Sequence, residues 1–141
     1  MKLQLTIPLQ VCILTLLIFS SCKAQKAQNQ NIVADGAELT LVADTYEFTE
    51  GPAVDSNGDV YFTDQPNDRI VKWSASDNSV ADYLKPAGRS NGLYFDHNGN
   101  LLSAADEKNQ LWRIDPNKNV TVLIDDFEGK KLNGPNDLWV D

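Results

Sequence analysis

The chain has 141 residues, 42% of them hydrophobic, which gives room for one hydrophobic core and not two. Its formal charge is −8, from 12 basic against 20 acidic residues, and no basic stripe interrupts that acidity. A surface of this sign repels phosphate backbones, which excludes a nucleic-acid partner, and it suits divalent cations.

The chain opens with an export signal. Lys2 is the one charge before the apolar run "LQVCILTLLIF", which is too short to span a bilayer and ends in Ser20-Ser21. A hydrophobic stretch, small residues and then Cys22 read as a lipoprotein signal, with Cys22 as the lipidated N-terminus. Phe19 stands where an aliphatic residue is usual, and simple cleavage nearby is the alternative. Either route exports the protein, to the periplasm or cell envelope, and the membrane is a partner only through that N-terminal anchor. Cys12 lies inside the signal, so Cys22 alone would remain and no internal disulfide can form. Residues 23–36 begin "KAQKAQNQN" and read as a flexible tether.

From residue 37 onward the pattern has period two, with β-branched and aromatic residues in short runs. Strands are predicted in chain order at "ELTLVA", "PAVD", "DVYFTD", "RIVKWS", "SVADYL", "GLYFD", "NLLSAA", "QLWRID", "VTVLID" and "DLWVD". The domain is therefore all-β over 37–141. Between "VTVLID" and "DLWVD", the segment "FEGKK" reads as a solvated loop.

The strands recur. "VDSNGDVYFTD" from Val54 returns as "FDHNGNLLSAAD" from Phe95, with the Asp and Asn-Gly positions offset by 41 residues, and "NDLWVD" opens a third copy. A period of 40 to 45 residues with four strands per unit is the signature of a β-propeller blade. Asn57-Gly58 and Asn98-Gly99 are expected to form two-residue turns with both φ values positive. Six such blades need roughly 250–270 residues. The expectation is thus an N-terminal portion of a six-bladed propeller, about two and a half blades, continuing beyond Asp141.

The repeat singles out Glu50, Asn91 and Asn136, which occupy one position in successive units, five residues before the Asp that closes the first strand. Rotation about the propeller axis would put these three oxygen-bearing side chains on one ring at the channel mouth. Carboxylate and amide oxygens suit a hard divalent cation, Ca²⁺ first, with Mg²⁺ or Mn²⁺ as alternatives. A closed Cys/His zinc site is excluded, since His97 is the chain's one histidine. His97 reads as solvated. Arg89, two residues before Asn91, could reach a polar substrate or serve the surface. Trp73, Trp112 and Trp139 read as packing between blades.

"EGPAVDSNGDVYFTD", "RSNGLYFDHNGNLLSAAD", "LWRID" and "LNGPNDLWVD" together resemble the gluconolactonase, senescence-marker-protein (regucalcin) and luciferin-regenerating-enzyme-like family, over about residues 37–141. The resemblance implies a six-bladed propeller that hydrolyses a small-molecule lactone with a divalent metal, commonly Ca²⁺ or Zn²⁺, in its channel. It implies Glu50 as a metal ligand, Asn136 as a ligand of metal or substrate, and Asn91 in the substrate pocket. The catalytic Asp would lie in blades beyond Asp141, so no catalytic residue falls within this chain, which by itself would be inactive. No protein partner is inferred. A non-catalytic binding propeller of the NHL type is the alternative.

Overall fold

The computed structural model describes residues 32–141, so the signal, Cys22 and most of the tether lie outside the described residues. Residues 32–40 belong to a separate unit, in which the Ala37 amide closes a turn on the Ala34 carbonyl. Residues 41–141 form one compact unit. No helix among the described residues is long and apolar enough to cross a membrane.

The compact unit is all-β. Strands β1 (Thr49–Val54), β2 (Val60–Asp64), β3 (Arg69–Trp73) and β4 (Val80–Leu84) form one antiparallel sheet in sequential order. Strands β5 (Ser90–Phe95), β6 (Leu101–Ala105), β7 (Gln110–Ile114) and β8 (Val120–Ile124) repeat it. These are two consecutive four-stranded blades of a propeller, each a meander whose strands pair with their sequence neighbours. Where a solvated loop is expected at "FEGKK", a small hairpin forms instead, β9 (Asp126–Phe127) with β10 (Lys130–Lys131).

The alternating pattern decides which face each blade presents. In the first blade Ala53, Tyr61 and Ile70 point toward the second, which answers with Leu93, Leu101 and Ile114, and Ala87 from the connection joins them. Ile70, Leu101 and Ile114 are completely buried. Tyr61 sits edge-on to Phe95 of the second blade at 5.0 Å and to Tyr83 of its own at 4.9 Å, a geometry that aromatic quadrupoles favour. Neither blade could bury these faces alone, so the seam between them is the core.

The turns differ from the sequence expectation in their chemistry. Asn57 and Asn98 keep negative φ, and only Gly58 and Gly99 are positive, at 84° and 78°. The organiser is the preceding Asp. Asp55 Oδ1 accepts from the amides of Asn57 (2.8 Å) and Asp59 (3.0 Å), and Asp96 Oδ1 from those of Asn98 (2.9 Å) and Asn100 (2.8 Å). A carboxylate mimicking a backbone turn fixes the hairpin without asking Asn to adopt a left-handed conformation. A third copy appears where the repeat did not point, between β7 and β8: Asp115 Oδ1 accepts from Asn117 and Asn119, both at 2.8 Å. There Lys118, at φ 66°, takes the glycine's place. The Asn119 side chain first, then its amide and that of Asn117, hold the Asp115 carboxyl below the usual range.

Two predicted strands do not form. Residues 38–43 and 137–141 carry strand sequence but take no ladder pairing. The second of these runs beside β5: the Gly92 amide donates to the Asn136 carbonyl at 2.7 Å, Trp139 packs on Tyr94 at 5.5 Å, and His97 Nε2 lies 3.3 Å from the Asp141 carbonyl. A strand is defined by its ladder, and among the described residues neither segment makes one. His97 is exposed, as expected.

Candidate functional site

Both first strands are interrupted within one residue of the same place. The β1–β2 register shifts between Glu50 and Ala53, and the β5–β6 register between Ser90 and Leu93. These β-bulges lie within one residue of repeat equivalence, and a bulge re-aims the side chains around it. Pro52 falls within the first, where a missing N–H costs least. The Glu-Gly-Pro run therefore makes a bulge that brings one blade's inner strand against the next.

The contact between inner strands is backbone against backbone. Gly51, at φ 48°, faces the Asn91 carbonyl, the Gly92 Cα and the Leu93 nitrogen so closely that no Cβ could be placed there. One unit further on, Gly92 meets Asn136 and Asp137 in the same way. The repeat relation between Glu50, Asn91 and Asn136 is thus realised in the backbone. The Thr63 hydroxyl, completely buried, shares its one proton between the carbonyls of Glu50 (3.1 Å) and Asn91 (3.2 Å).

The side chains at these positions are left over. Glu50 is half-buried, Asn91 is 8% exposed and Asn136 is exposed. Among the described residues none of the three side chains has a hydrogen-bond or ion-pair partner. Glu50 lines a cavity of about 690 Å³ with Tyr46, Pro52, Phe62 and Trp73, which Asn91 and Asn136 do not line. A half-buried carboxylate without a protein donor fits a cation, and the amide oxygens of Asn91 on β5 and of Asn136 on the segment beside it are of the same hard-donor chemistry. Together they are three oxygens where Ca²⁺ takes six to eight. No group of three or more His, Cys, Asp or Glu able to hold a metal occurs among the described residues.

Arg89 sits at φ 46°, exposed, with its amide held by Asp68 Oδ1 at 2.7 Å. Its guanidinium donates to Gln65 Oε1 at 3.2 Å, and Gln65 Nε2 stands 3.5 Å from Asp106 Oδ2. Gln65 and Asp106 were not singled out from sequence, although they are themselves 41 residues apart. Carrying the repeat offset past the hairpins would have found them. Asp106 Oδ1 lies close against Gly134, whose amide donates to Asn109 Oδ1 at 2.9 Å, so this polar run leads toward the segment carrying Asn136.

The tryptophans divide. Trp112 packs on Gly88 between the blades and donates to Gln110 Oε1 at 2.7 Å. Trp139 covers Tyr94. Trp73 lies on the first blade's other face, and its Nε1 is buried without a partner.

At the opposite end of the seam, Lys72 binds Asp59 at 2.5 Å and lies 5.4 Å from the Tyr61 ring centre. Asp59 first, then Tyr61, push the Lys72 ammonium up to about 12. Bond geometry this complete marks Lys72 as part of the blade's frame, with its proton held throughout the physiological range.

Comparison with known proteins agrees with this fold. A gluconolactonase of Zymomonas mobilis subsp. mobilis is 28% identical over 116 residues, covering 72% of this chain and 32% of the relative. Among solved structures, a candidate gluconolactonase determined by X-ray crystallography superposes with a TM-score of 0.68 at 34% identity, over 74% of this chain and 36% of that one. The gluconolactonase of Xanthomonas campestris gives 0.65 at 26% identity, over 68% and 32%. The chain spans about a third of the length of these relatives. Residues 48–141, well over half of the chain, match the family described as the SMP-30/gluconolactonase/LRE-like region, and the chain belongs to that family.

Proposed function

We propose that the protein hydrolyses a sugar lactone or a related lactone in the channel of a six-bladed propeller, with a divalent cation, Ca²⁺ first and Zn²⁺, Mg²⁺ or Mn²⁺ as alternatives. The observation that carries this reading is the set of unpartnered oxygen side chains at Glu50, Asn91 and Asn136, at repeat-equivalent positions whose backbones are linked through Thr63 and the Gly92 amide. Membership of a family that includes gluconolactonases supports the substrate class.

Glu50 and Asn136 would hold the cation. When bound, such an ion polarises a carbonyl and lowers the pKa of water. Glu50 contributes the one negative charge among the three. The amide groups of Asn136 and Asn91 can donate to the carbonyl oxygen and hydroxyls of a polyhydroxylated lactone, and to the oxyanion that develops when water adds to the carbonyl carbon. Arg89, held by Gln65, adds charge at the rim. Addition of water followed by opening of the ring C–O bond yields the hydroxy acid, one proton being released at neutral pH.

Acid release from glucono-1,5-lactone by the full-length protein should stop in EDTA and return with Ca²⁺. Glu50→Gln should lower kcat/KM by about 100-fold, or about 2.7 kcal/mol, and weaken Ca²⁺ binding with it. Unchanged turnover would remove Glu50 from the site, and turnover indifferent to EDTA would remove the cation. An NHL-type binding propeller would release no acid under either condition.

The cell envelope is the proposed location, with Cys22 as the lipid anchor. Cys22→Ser should move the protein from the membrane fraction to the soluble one, as read by fractionation and immunoblot; equal partition would argue for cleavage without lipidation.

A further inference from the structure

The Thr63 side chain touches the backbones of two candidate site residues on different blades. Its hydroxyl reaches the Glu50 carbonyl at 3.1 Å and the Asn91 carbonyl at 3.2 Å, and its relative exposure is zero. The bulge between Glu50 and Ala53 interrupts the ladder beside it, so the hydroxyl supplies a donor where the regular pattern lapses. One unit on, the same register holds Ala104, also completely buried, and the Asn136 carbonyl is instead tied by the Gly92 amide at 2.7 Å. The blade-to-blade link at the ring is therefore made twice by different donors, and at the first junction a side chain makes it.

We infer that Thr63 is a positioning residue that sets the spacing of Glu50 and Asn91 across the blade junction. The inference rests on the lactonase reading above and deepens it. A buried hydroxyl shared between two carbonyls fixes both strands against sliding, because moving either one leaves a polar group unsatisfied in a dry seam. The side chains of Glu50 and Asn91 extend from those same two residues, so a shift in the link is a shift in the ring. Ligand-bearing backbones held from behind commonly govern affinity for what the ligands bind.

Thr63→Val keeps the shape and removes the hydroxyl. Thr63→Ser keeps the hydroxyl and removes a methyl group. Thr63→Ala removes both and copies a residue that the second blade already accommodates at this register. In the full-length protein, calorimetric titration with Ca²⁺ alone is the first readout and kcat/KM on glucono-1,5-lactone the second. Val and Ala should each weaken Ca²⁺ binding by about 10-fold or more and lower kcat/KM in step, whereas Ser should stay within about twofold of the parent even as its thermal midpoint falls. That rescue separates positioning from packing, since Ser loses bulk and Val does not. Val and Ala binding Ca²⁺ as the parent does would overturn the inference and leave the lactonase reading intact. A parent protein that neither binds Ca²⁺ nor hydrolyses the lactone would overturn both.

Discussion

Asp64→Ala should destabilise the chain by about 3–5 kcal/mol, read as a lower midpoint in urea unfolding followed by tryptophan fluorescence. The carboxylate is fully buried and accepts five bonds. Oδ2 receives Arg69 Nη2 at 2.7 Å, Arg69 Nε at 3.0 Å and Asn67 Nδ2 at 2.8 Å, while Oδ1 receives the amides of Glu47 (3.2 Å) and Phe48 (3.4 Å). Arg69 in turn reaches Asp82 at 3.0 Å and the Thr45 carbonyl at 3.2 Å, and lies over the Tyr46 ring. Alanine would leave a largely buried guanidinium beside a void and strand two amides, and removing one partner of such a pair costs far more than the pair contributes. Asp64→Asn should cost less, because it keeps the volume and one acceptor. The effect extends to the candidate site, since Glu47 and Phe48 lead directly into Glu50.

The same residue makes stability depend on acid. Burial raises the Asp64 carboxyl, but donation from Asn67, Arg69 and the two amides outweighs it, and the group ends below its ordinary value. A carboxyl whose folded pKa is depressed binds more protons when unfolded. Its stabilisation is therefore complete above the unfolded value, about 3.9, and is lost as pH falls from there through the folded value. The difference in urea midpoint between the parent and Asp64→Ala should be constant near neutrality and shrink below about pH 4. Asp96 and Asp115 are also held low, but they are common to both proteins and cancel in the difference.

The blades were legible in the sequence because repetition and period two are properties of the chain itself. An offset of 41 places β2 on β6 and β3 on β7 residue for residue. What the sequence could not show was anything decided by a partner. "ELTLVA" and "DLWVD" have strand composition, yet a ladder needs a neighbour. The Asn-Gly turns were assigned by their most permissive residues, whereas the preceding Asp carries the hydrogen bonds, and its role emerges only when donor positions are known. The equivalence of Glu50, Asn91 and Asn136 could be read from register. Thr63 could not, because its counterpart is Ala104 and a search for like residues at like positions passes over it.

Gly51→Ala is expected to cost about 2–5 kcal/mol, combining roughly 1–2 kcal/mol for a side chain in a left-handed conformation with roughly 1–3 kcal/mol for overpacking. The atoms it would meet are the Asn91 carbonyl oxygen, the Gly92 Cα and the Leu93 nitrogen, all backbone. A flexible side chain could swing aside, but here relief requires moving the strand β5 away from β1. Gly99→Ala is the control. It has φ 78° and nothing within 4 Å of the added carbon, so it should carry the conformational cost alone, about 1–2 kcal/mol. If the two substitutions lower the urea midpoint equally, the close approach of the inner strands contributes nothing. A larger loss at Gly51, with weaker Ca²⁺ binding in the full-length protein, would show that the glycine beside the acid exists to let one blade's ring residue stand next to the following one.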